Sequence, residues 1–125
     1  MNGSNIVADT SLIINFFNGT QGIDEVVRTH NLFLSVITEI EVLSFPALRA
    51  SDKKLLHSFL SECFVIDIMQ PIKELTISIR ANHKTKLPDA VIAATAIYFD
   101  IPLFTFDKGF SKINDLQATI LSFSG

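Results

Sequence analysis

The sequence contains one set of side chains that could act together on a substrate, and all of its members are acids. They are Asp9, Glu41, Asp89 and Asp107. Clustered carboxylates without His or Cys partners suit a hard cation such as Mg²⁺ or Mn²⁺, which prefers oxygen ligands. The three histidines are scattered and the single cysteine has no partner, so the spacing typical of a zinc site is missing. One or two divalent ions held by these acids would orient and activate a water molecule and neutralise a phosphate in the transition state.

Each acid also has a purely structural interpretation. Asp9 could cap a following helix, Asp89 suits the first turn of a helix, and Asp107 could form a turn. Glu41 has the weakest structural explanation, because its neighbours are apolar. Glu39 competes with it, since two residues along a helix rotate the side chain by about 200° and the two glutamates cannot face the same site. The residues themselves leave that choice open.

Short strand-like segments alternate with longer helical ones. The predicted strands are Asn5–Ala8, Leu32–Ser35, Phe64–Ile68, Ile101–Thr105 and Thr119–Ser122. Five helices are predicted with both bounds: Thr10–Phe17, Ile23–Thr29, Thr38–Leu48, which Pro46 interrupts, Ile72–His83 and Asp89–Phe99. A further helix is predicted to be capped by Ser51-Asp52 and to have a buried stripe of Leu55, Leu56, Phe59 and Leu60. A turn or short helix is predicted at Asp107–Phe110. Strands separated by helices imply right-handed crossovers and a parallel sheet covered on both faces. We therefore expect an α/β fold, a single domain over residues 1–125 built as a three-layer α/β/α sandwich with a five-stranded parallel sheet.

This architecture predicts where the acids lie. Ligands bind at the carboxyl ends of the strands in an open parallel sheet, because the loops converge there. Asp9 directly follows the first predicted strand, and Asp107 comes two residues after the fourth. Glu41 lies in the first turns of the helix after the second strand. Asp89 opens a helix that leads into a strand, so its position depends on how that helix packs.

The composition excludes several classes of protein. A hydrophobic fraction of 48% with only 18% charged residues predicts a folded chain, not a disordered one. The unpaired Cys63 excludes an intrachain disulfide and fits a reducing compartment. The N-terminus lacks the basic start and apolar stretch of a secretory signal, and the longest apolar run, Ala90–Phe99, is about half of a membrane span. We expect a soluble, cytoplasmic protein with no membrane association.

Four segments carry a more specific signal. They are Ile6–Ser11, Ser35–Glu41, Leu87–Ala96 and Leu103–Phe110. In residues, order and spacing they resemble the motifs of the PIN-domain family, and within it the VapC-like toxin ribonucleases of toxin–antitoxin pairs. The third segment is very similar to the most specific motif of the family. In the second, a Thr precedes the functional Glu by three residues, and this spacing selects Glu41. In the fourth, many relatives carry Asn where this chain has Phe106.

The resemblance implies a five-stranded parallel sheet and cleavage of RNA phosphodiester bonds that depends on Mg²⁺ or Mn²⁺. It implies that Asp9, Glu41, Asp89 and Asp107 form the catalytic, metal-binding quartet, and that Thr10 and Thr105 support them through hydrogen bonds. It also implies a homodimer and a small antitoxin protein that blocks the site.

The formal net charge of −3 argues against binding RNA through bulk positive charge. A local basic patch is therefore needed, and we hypothesise a rim that guides the RNA backbone toward the acids. Its members are Arg80, Lys84, Lys86 and Lys108, with Lys112 nearby. The alternative is a solvated helix end, where the helix dipole favours cations without any ligand.

Three other functions compete with this interpretation. A receiver-like signalling domain needs a pair of acids after its first strand and a Lys after its last, and neither is present. A PIN-like binding module without catalysis is disfavoured by the complete set of four acids. A nuclease that cleaves DNA instead of RNA fits the residues equally well, since RNA specificity comes only from the resemblance.

Overall fold

A computed structural model gives the structure over residues 3–47 and 49–123. The parallel strands are β1 (Ser4–Ala8), β2 (His30–Ser35), β3 (Phe64–Ile66), β4 (Leu103–Thr105) and β5 (Ala118–Ile120). The helices are α1 (Thr10–Phe17), α2 (Ile23–Thr29), α3 (Val36–Leu43), α4 (Ala50–Leu60), α5 (Gln70–Asn82) and α6 (Leu87–Phe99), followed by a short 3₁₀ helix at Lys108–Lys112. The strand order across the sheet is β3-β2-β1-β4-β5. The predicted α/β fold with a five-stranded parallel sheet is confirmed.

Alternating side chains of the central strand build an apolar core on each face of the sheet. Val7 packs in one core with residues of α5 and α6. Ile6 and Ala8 pack in the other core with residues of α1 to α4. All three are fully buried, as the two-residue period of a strand requires when both faces are covered. The sheet is therefore the middle layer of three.

The α6 helix is the most deeply buried helix, and it determines where Asp89 lies. Every residue of Ala90–Ala96 is buried, and its small side chains let the helix pack closely against α5, β1 and β2. The helix begins at Leu87, two residues before the predicted start. Pro88 fits in the first turn because the N–H that it lacks would have no partner within the helix there. Asp89 consequently occupies the first turn of α6.

The prediction of one interrupted helix over Thr38–Leu48 was wrong at both ends. The α3 helix begins earlier because the Ser35 side chain caps it by accepting a hydrogen bond of 3.1 Å from the Ile37 backbone N–H. It ends at Leu43, three residues before Pro46, whose ring would clash with the preceding turn of a continuing helix. Leu48 lies outside the described residues.

The prediction for the next helix also needs correction. The α4 helix is capped at Arg49, not at Ser51, and the Asp52 carboxylate accepts a hydrogen bond of 3.2 Å from the Arg49 backbone N–H. Leu56 is buried, but Leu55 is 62% exposed and does not belong to the buried stripe. Because neighbouring residues of a helix are rotated by about 100°, the packing of Leu56 leaves Leu55 outside.

All five strands differ from the predicted bounds, and β1 and β2 each begin earlier than predicted, at Ser4 and at His30. The β3 strand ends at Ile66, and Ile68 beyond it is exposed. The β4 strand begins at Leu103, since the preceding residue is a proline with no N–H to donate. The β5 strand is Ala118–Ile120, so it begins one residue earlier and ends two residues earlier than predicted. Within residues 3–47 and 49–123, no helix has the length and apolar character that crossing a membrane requires.

Candidate active site

Asp9 directly follows β1 and is the most buried of the four acids, with 4% of its surface exposed. Its Oδ1 accepts hydrogen bonds from the Leu12 backbone N–H (3.0 Å) and from Ser11 Oγ (2.8 Å), so Asp9 caps α1. Its Oδ2 accepts a hydrogen bond of 2.5 Å from Thr105 Oγ1. A carboxylate has about four acceptor positions, and these bonds occupy three. The helix-capping interpretation is therefore correct and still leaves room for one further ligand.

Two hydroxyl groups connect Asp9 with the loop that carries Asp107. The Asp107 backbone N–H donates to Thr105 Oγ1 (2.9 Å), which itself donates to Asp9. The Phe106 backbone N–H donates to Ser11 Oγ (3.2 Å), which also donates to Asp9. Each carboxylate oxygen of Asp9 is thus linked to this loop through one hydroxyl. Sequence reasoning missed Ser11, although a Ser two residues after a capping Asp was the available signal.

Glu41 lies on α3 and is linked to the start of α1. Thr10 Oγ1 donates a hydrogen bond of 2.5 Å to Glu41 Oε1, across 31 residues of sequence. Thr10 is the first residue of α1 and directly follows Asp9. The Glu41 carboxylate is therefore held beside the end of β1. Thr10 and Thr105 each hold one acid, and they are the two threonines that the resemblance implied as supports.

Asp89 lies within electrostatic reach of the other three acids. Its pKa is raised above the ordinary value, first by burial and then by the negative charges of Asp107, Glu41 and Asp9. The positive charge of Lys86 partly opposes this effect. The first turn of α6 therefore places Asp89 where negative charges from α3 and from the ends of β1 and β4 converge.

The pKa of Asp9 is also raised, and the main cause is burial. Hydrogen bonds from Thr105, Ser11 and the Leu12 backbone stabilise the charged form and lower the pKa, while the charge of Asp107 raises it further. A buried carboxylate that accepts three hydrogen bonds and still has a raised pKa lies where an additional positive charge would be favourable.

Asp107 is exposed at the start of the 3₁₀ helix. Its Oδ1 accepts a hydrogen bond of 2.8 Å from the Gly109 backbone N–H, so its interpretation as a turn former is also correct. A Cβ atom at Gly109 would lie 3.1 Å from this oxygen. A glycine at that position leaves space for the Asp107 carboxylate to cap the helix.

The chemistry of these donors suits a divalent cation. All four are carboxylates. Their mutual repulsion adds to the effect of burial on the pKa of Asp89, and a bound cation would offset that repulsion. Over residues 3–47 and 49–123, however, no group of three or more His, Cys, Asp or Glu side chains has the spacing of a ready metal site. The charges of the acids converge, but their oxygens are not arranged as a finished coordination shell.

The apolar residue of the fourth motif packs away from the acids. The Phe106 side chain joins the core on the α1 to α4 side and lies edge-on to Phe123, with ring centroids 5.9 Å apart. Its backbone N–H still donates to Ser11. The main chain of this loop therefore supplies hydrogen bonds to the site, although the side chain at this position is apolar.

The predicted basic residues lie at three places near the acids. Lys84 and Lys86 line a cleft together with Asp89. Arg80 lies on α5, and its Nε donates a hydrogen bond of 3.2 Å to the Thr85 backbone oxygen. Lys108 begins the 3₁₀ helix next to Asp107. The structure therefore brings all three lysines beside an acid, whereas Arg80 braces the segment between α5 and α6.

Comparisons with known proteins agree with the geometry. The family model described as PIN domain matches residues 6–116. The fold is similar to that of a chain in a toxin–antitoxin complex from Klebsiella pneumoniae, with 30% identity over 89% of this chain and 94% of that one and a TM-score of 0.78. It is also similar to that of a chain of VapBC2 from Rickettsia felis, bound to a promoter DNA fragment, with 18% identity over 94% of this chain and 99% of that one and a TM-score of 0.80. A chain of VapBC-1 from nontypeable Haemophilus influenzae is 22% identical over 93% of this chain and 97% of that one, with a TM-score of 0.79. No curated protein sequence matches significantly.

Proposed function

Because the chain belongs to the PIN-domain family, whose members are nucleases, we propose that it is an endoribonuclease dependent on Mg²⁺ or Mn²⁺ and the toxin of a toxin–antitoxin pair. One observation carries the proposal: Asp89 lies where burial and then the negative charges of Asp107, Glu41 and Asp9 raise its pKa. Four carboxylates that repel one another at the carboxyl end of a sheet are costly for the fold and useful to a cation-dependent enzyme.

In this proposal each acid has a defined task. Asp9, Asp89 and Asp107 would hold the cation, and Asp9 has one acceptor position left for it. Glu41, held by Thr10, would orient the attacking water or complete the metal shell. The bound cation would supply charge neutralisation at the scissile phosphate and a lower pKa for water. Attack by water predicts products with a 5′-phosphate and a 3′-hydroxyl, and a 2′,3′-cyclic phosphate would contradict this scheme.

The proposal includes the substrate and partners implied by the family. Arg80, Lys84, Lys86 and Lys108 would form the basic rim for the RNA backbone, which an acidic protein needs. A cognate antitoxin would cover the site, and the toxin, a single PIN domain over residues 1–125, would act as a homodimer in the cytoplasm. The toxin–antitoxin complex from Klebsiella pneumoniae supports the antitoxin partner, since its chain is 30% identical over most of both lengths.

The test is cleavage of total cellular RNA by purified protein with Mg²⁺, Mn²⁺ or EDTA, followed by sequencing of the 5′ ends produced. The wild type should give metal-dependent cuts, and Asp89→Asn should give none. Asp24→Asn is the matched control, because Asp24 is an exposed acid on α2 whose ion pair with Arg28 is also exposed. If wild type and Asp89→Asn both fold, bind no divalent metal and cut nothing, the acids are structural. Equal cleavage of single-stranded DNA of the same sequence would contradict the RNA specificity.

A further inference from the structure

A small cleft of about 130 Å³ lies beside Asp89, between the segment that precedes α6 and the 3₁₀ helix. Lys84, Thr85 and Lys86 line it from the first of these elements, and Lys112 lines it from the second. Asp89 belongs to the same lining. The cleft is therefore continuous with the acidic site, but the charged residues that line it are mainly basic.

Two hydrogen bonds hold the walls of this cleft in place. Arg80 Nε on α5 donates to the Thr85 backbone oxygen, and Lys112 Nζ donates to the Lys84 backbone oxygen. The segment between α5 and α6 is thus tied to both neighbouring elements. Lys112 uses one of the three N–H groups of its ammonium in this way, so the others stay available to a ligand.

The charge of the cleft selects an anion. Three lysines and one aspartate line it, in a chain whose formal net charge is −3. Thr85 also lines the cleft, and its hydroxyl is buried and has no hydrogen-bond partner among residues 3–47 and 49–123. Lysines with spare N–H groups form a set of donors that matches the oxygens of a phosphate.

Building on the proposed function, we propose that this cleft binds a backbone phosphate of the RNA next to the scissile one. Asp89 lines the cleft and also belongs to the acidic quartet. An anion in the cleft lies directly beside the site of cleavage, so one strand would present successive phosphates to the lysines and to the metal-binding acids. Arg80 acts as a brace for this subsite, whereas Lys84 and Lys112 contact the phosphate.

Binding can be tested without catalysis, with a short fluorescein-labelled oligouridylate in EDTA. Lys84→Gln and Lys112→Gln should each raise Kd roughly threefold to tenfold. Each should also lower the slope of log Kd against log salt by about 0.7, the value expected for one phosphate contact on a single strand. Glutamine keeps an N–H group that can bond the Lys84 backbone oxygen in place of Lys112 Nζ. The matched control is Lys54→Gln on α4, in the other helical layer, which should change neither quantity.

Equal Kd and equal salt slopes for all three variants and the wild type would overturn the proposal. Displacement of the oligouridylate by oligoglutamate of the same charge, lost in the same variants, would also overturn it, because the cleft would then be a site for an acidic polypeptide.

A second experiment locates the phosphate on a cleaved RNA. Neutral methylphosphonates are placed one at a time around the cleavage site, and KM is measured in Mn²⁺. A methylphosphonate at one position next to the scissile phosphate should raise KM for the wild type. The same substitution should cause no further rise of KM for Lys84→Gln. If the methylphosphonate and Lys84→Gln raise KM independently of each other, the phosphate subsite is contradicted. If the wild type cleaves no RNA, the proposed function fails, while the binding assay in EDTA still decides whether the cleft holds phosphate.

Discussion

Thr105 Oγ1 donates a hydrogen bond of 2.5 Å to Asp9 Oδ2, although 96 positions separate the two residues in the sequence. The contact exists because β1 and β4 are hydrogen-bonded neighbours in which Ala8 lies opposite Phe104. The same hydroxyl accepts the Asp107 backbone N–H. One buried side chain therefore fixes the position of one acid relative to the loop that carries another.

Thr105→Val should impair both stability and metal binding. It keeps the shape of the side chain but leaves Asp9 Oδ2 and the Asp107 N–H without this partner, which costs about 1–3 kcal/mol. Loss of an interaction that orients a metal ligand should weaken Mn²⁺ binding roughly 10–100-fold. Thermal unfolding and calorimetric titration with Mn²⁺ measure the two effects.

The control for this change is Thr105→Ser, which retains the hydroxyl and removes one buried methyl group. It should cost only about 1 kcal/mol of stability and bind Mn²⁺ nearly as tightly as the wild type. If the Thr105→Val and Thr105→Ser variants bind Mn²⁺ equally tightly, the Thr105 hydroxyl does not orient the site.

Thr10→Val should affect activity more than stability. Thr10 is only partly buried, so loss of its hydroxyl should change the free energy of unfolding by less than about 1 kcal/mol. The Glu41 carboxylate would no longer be held by the hydrogen bond from Thr10, and we expect kcat to fall roughly tenfold or more while KM for RNA stays constant. Rescue of kcat by Thr10→Ser would support this role, whereas a rise in KM alone would argue against it.

Much of the fold was predictable because local patterns determine it. The short apolar run Ile6–Ala8 and the long apolar stretch of α6 each indicate an element without knowledge of its neighbours. The positions of Asp9 and Asp107 follow from the ends of two strands. Helix ends were less predictable, since the start of α3 depends on one hydrogen bond that the Ser35 side chain accepts from the Ile37 backbone N–H.

The contacts within the site could not be derived from periodicity. The link between Asp9 and Thr105 requires β1 and β4 to be neighbours, and the order of strands in a sheet does not follow from their order in the chain. Ser11 had no distinguishing signal beyond its spacing from Asp9. Lys112 joins the cleft beside Asp89 only because the 3₁₀ helix packs against the segment before α6.

Cys63 should be an unreactive thiol. Burial, and to a smaller extent the charge of Glu62, raise its pKa to about 11. The thiolate is the nucleophile, so at pH 8 alkylation by iodoacetamide should be far slower in the native protein than in the unfolded protein, and the native rate should rise until the pH approaches that value. Alkylation at the rate of a free cysteine would show that the side chain is more accessible than its half-buried position indicates.

Asp89→Asn should stabilise the metal-free protein at neutral pH. The pKa of Asp89 in the folded state is raised above its ordinary value of 3.8, so folding favours the protonated form. This contribution to stability is complete below 3.8 and is lost as the pH rises through the raised pKa. Asparagine removes the charge, so the Tm of the variant should exceed that of the wild type at pH 7 in EDTA. The difference should shrink as the pH falls.

Added Mn²⁺ should reverse the order of these Tm values. A ligand at 100 times its Kd stabilises the folded state by about 2.7 kcal/mol, and only the wild type should gain this. Asp52→Asn is an informative control, because the hydrogen bonds from Arg49 lower the pKa of Asp52. That variant should lose stability at neutral pH and respond to Mn²⁺ like the wild type. If Mn²⁺ raises the Tm of Asp89→Asn as much as that of the wild type, Asp89 does not bind the cation and the repulsion among the acids has another explanation.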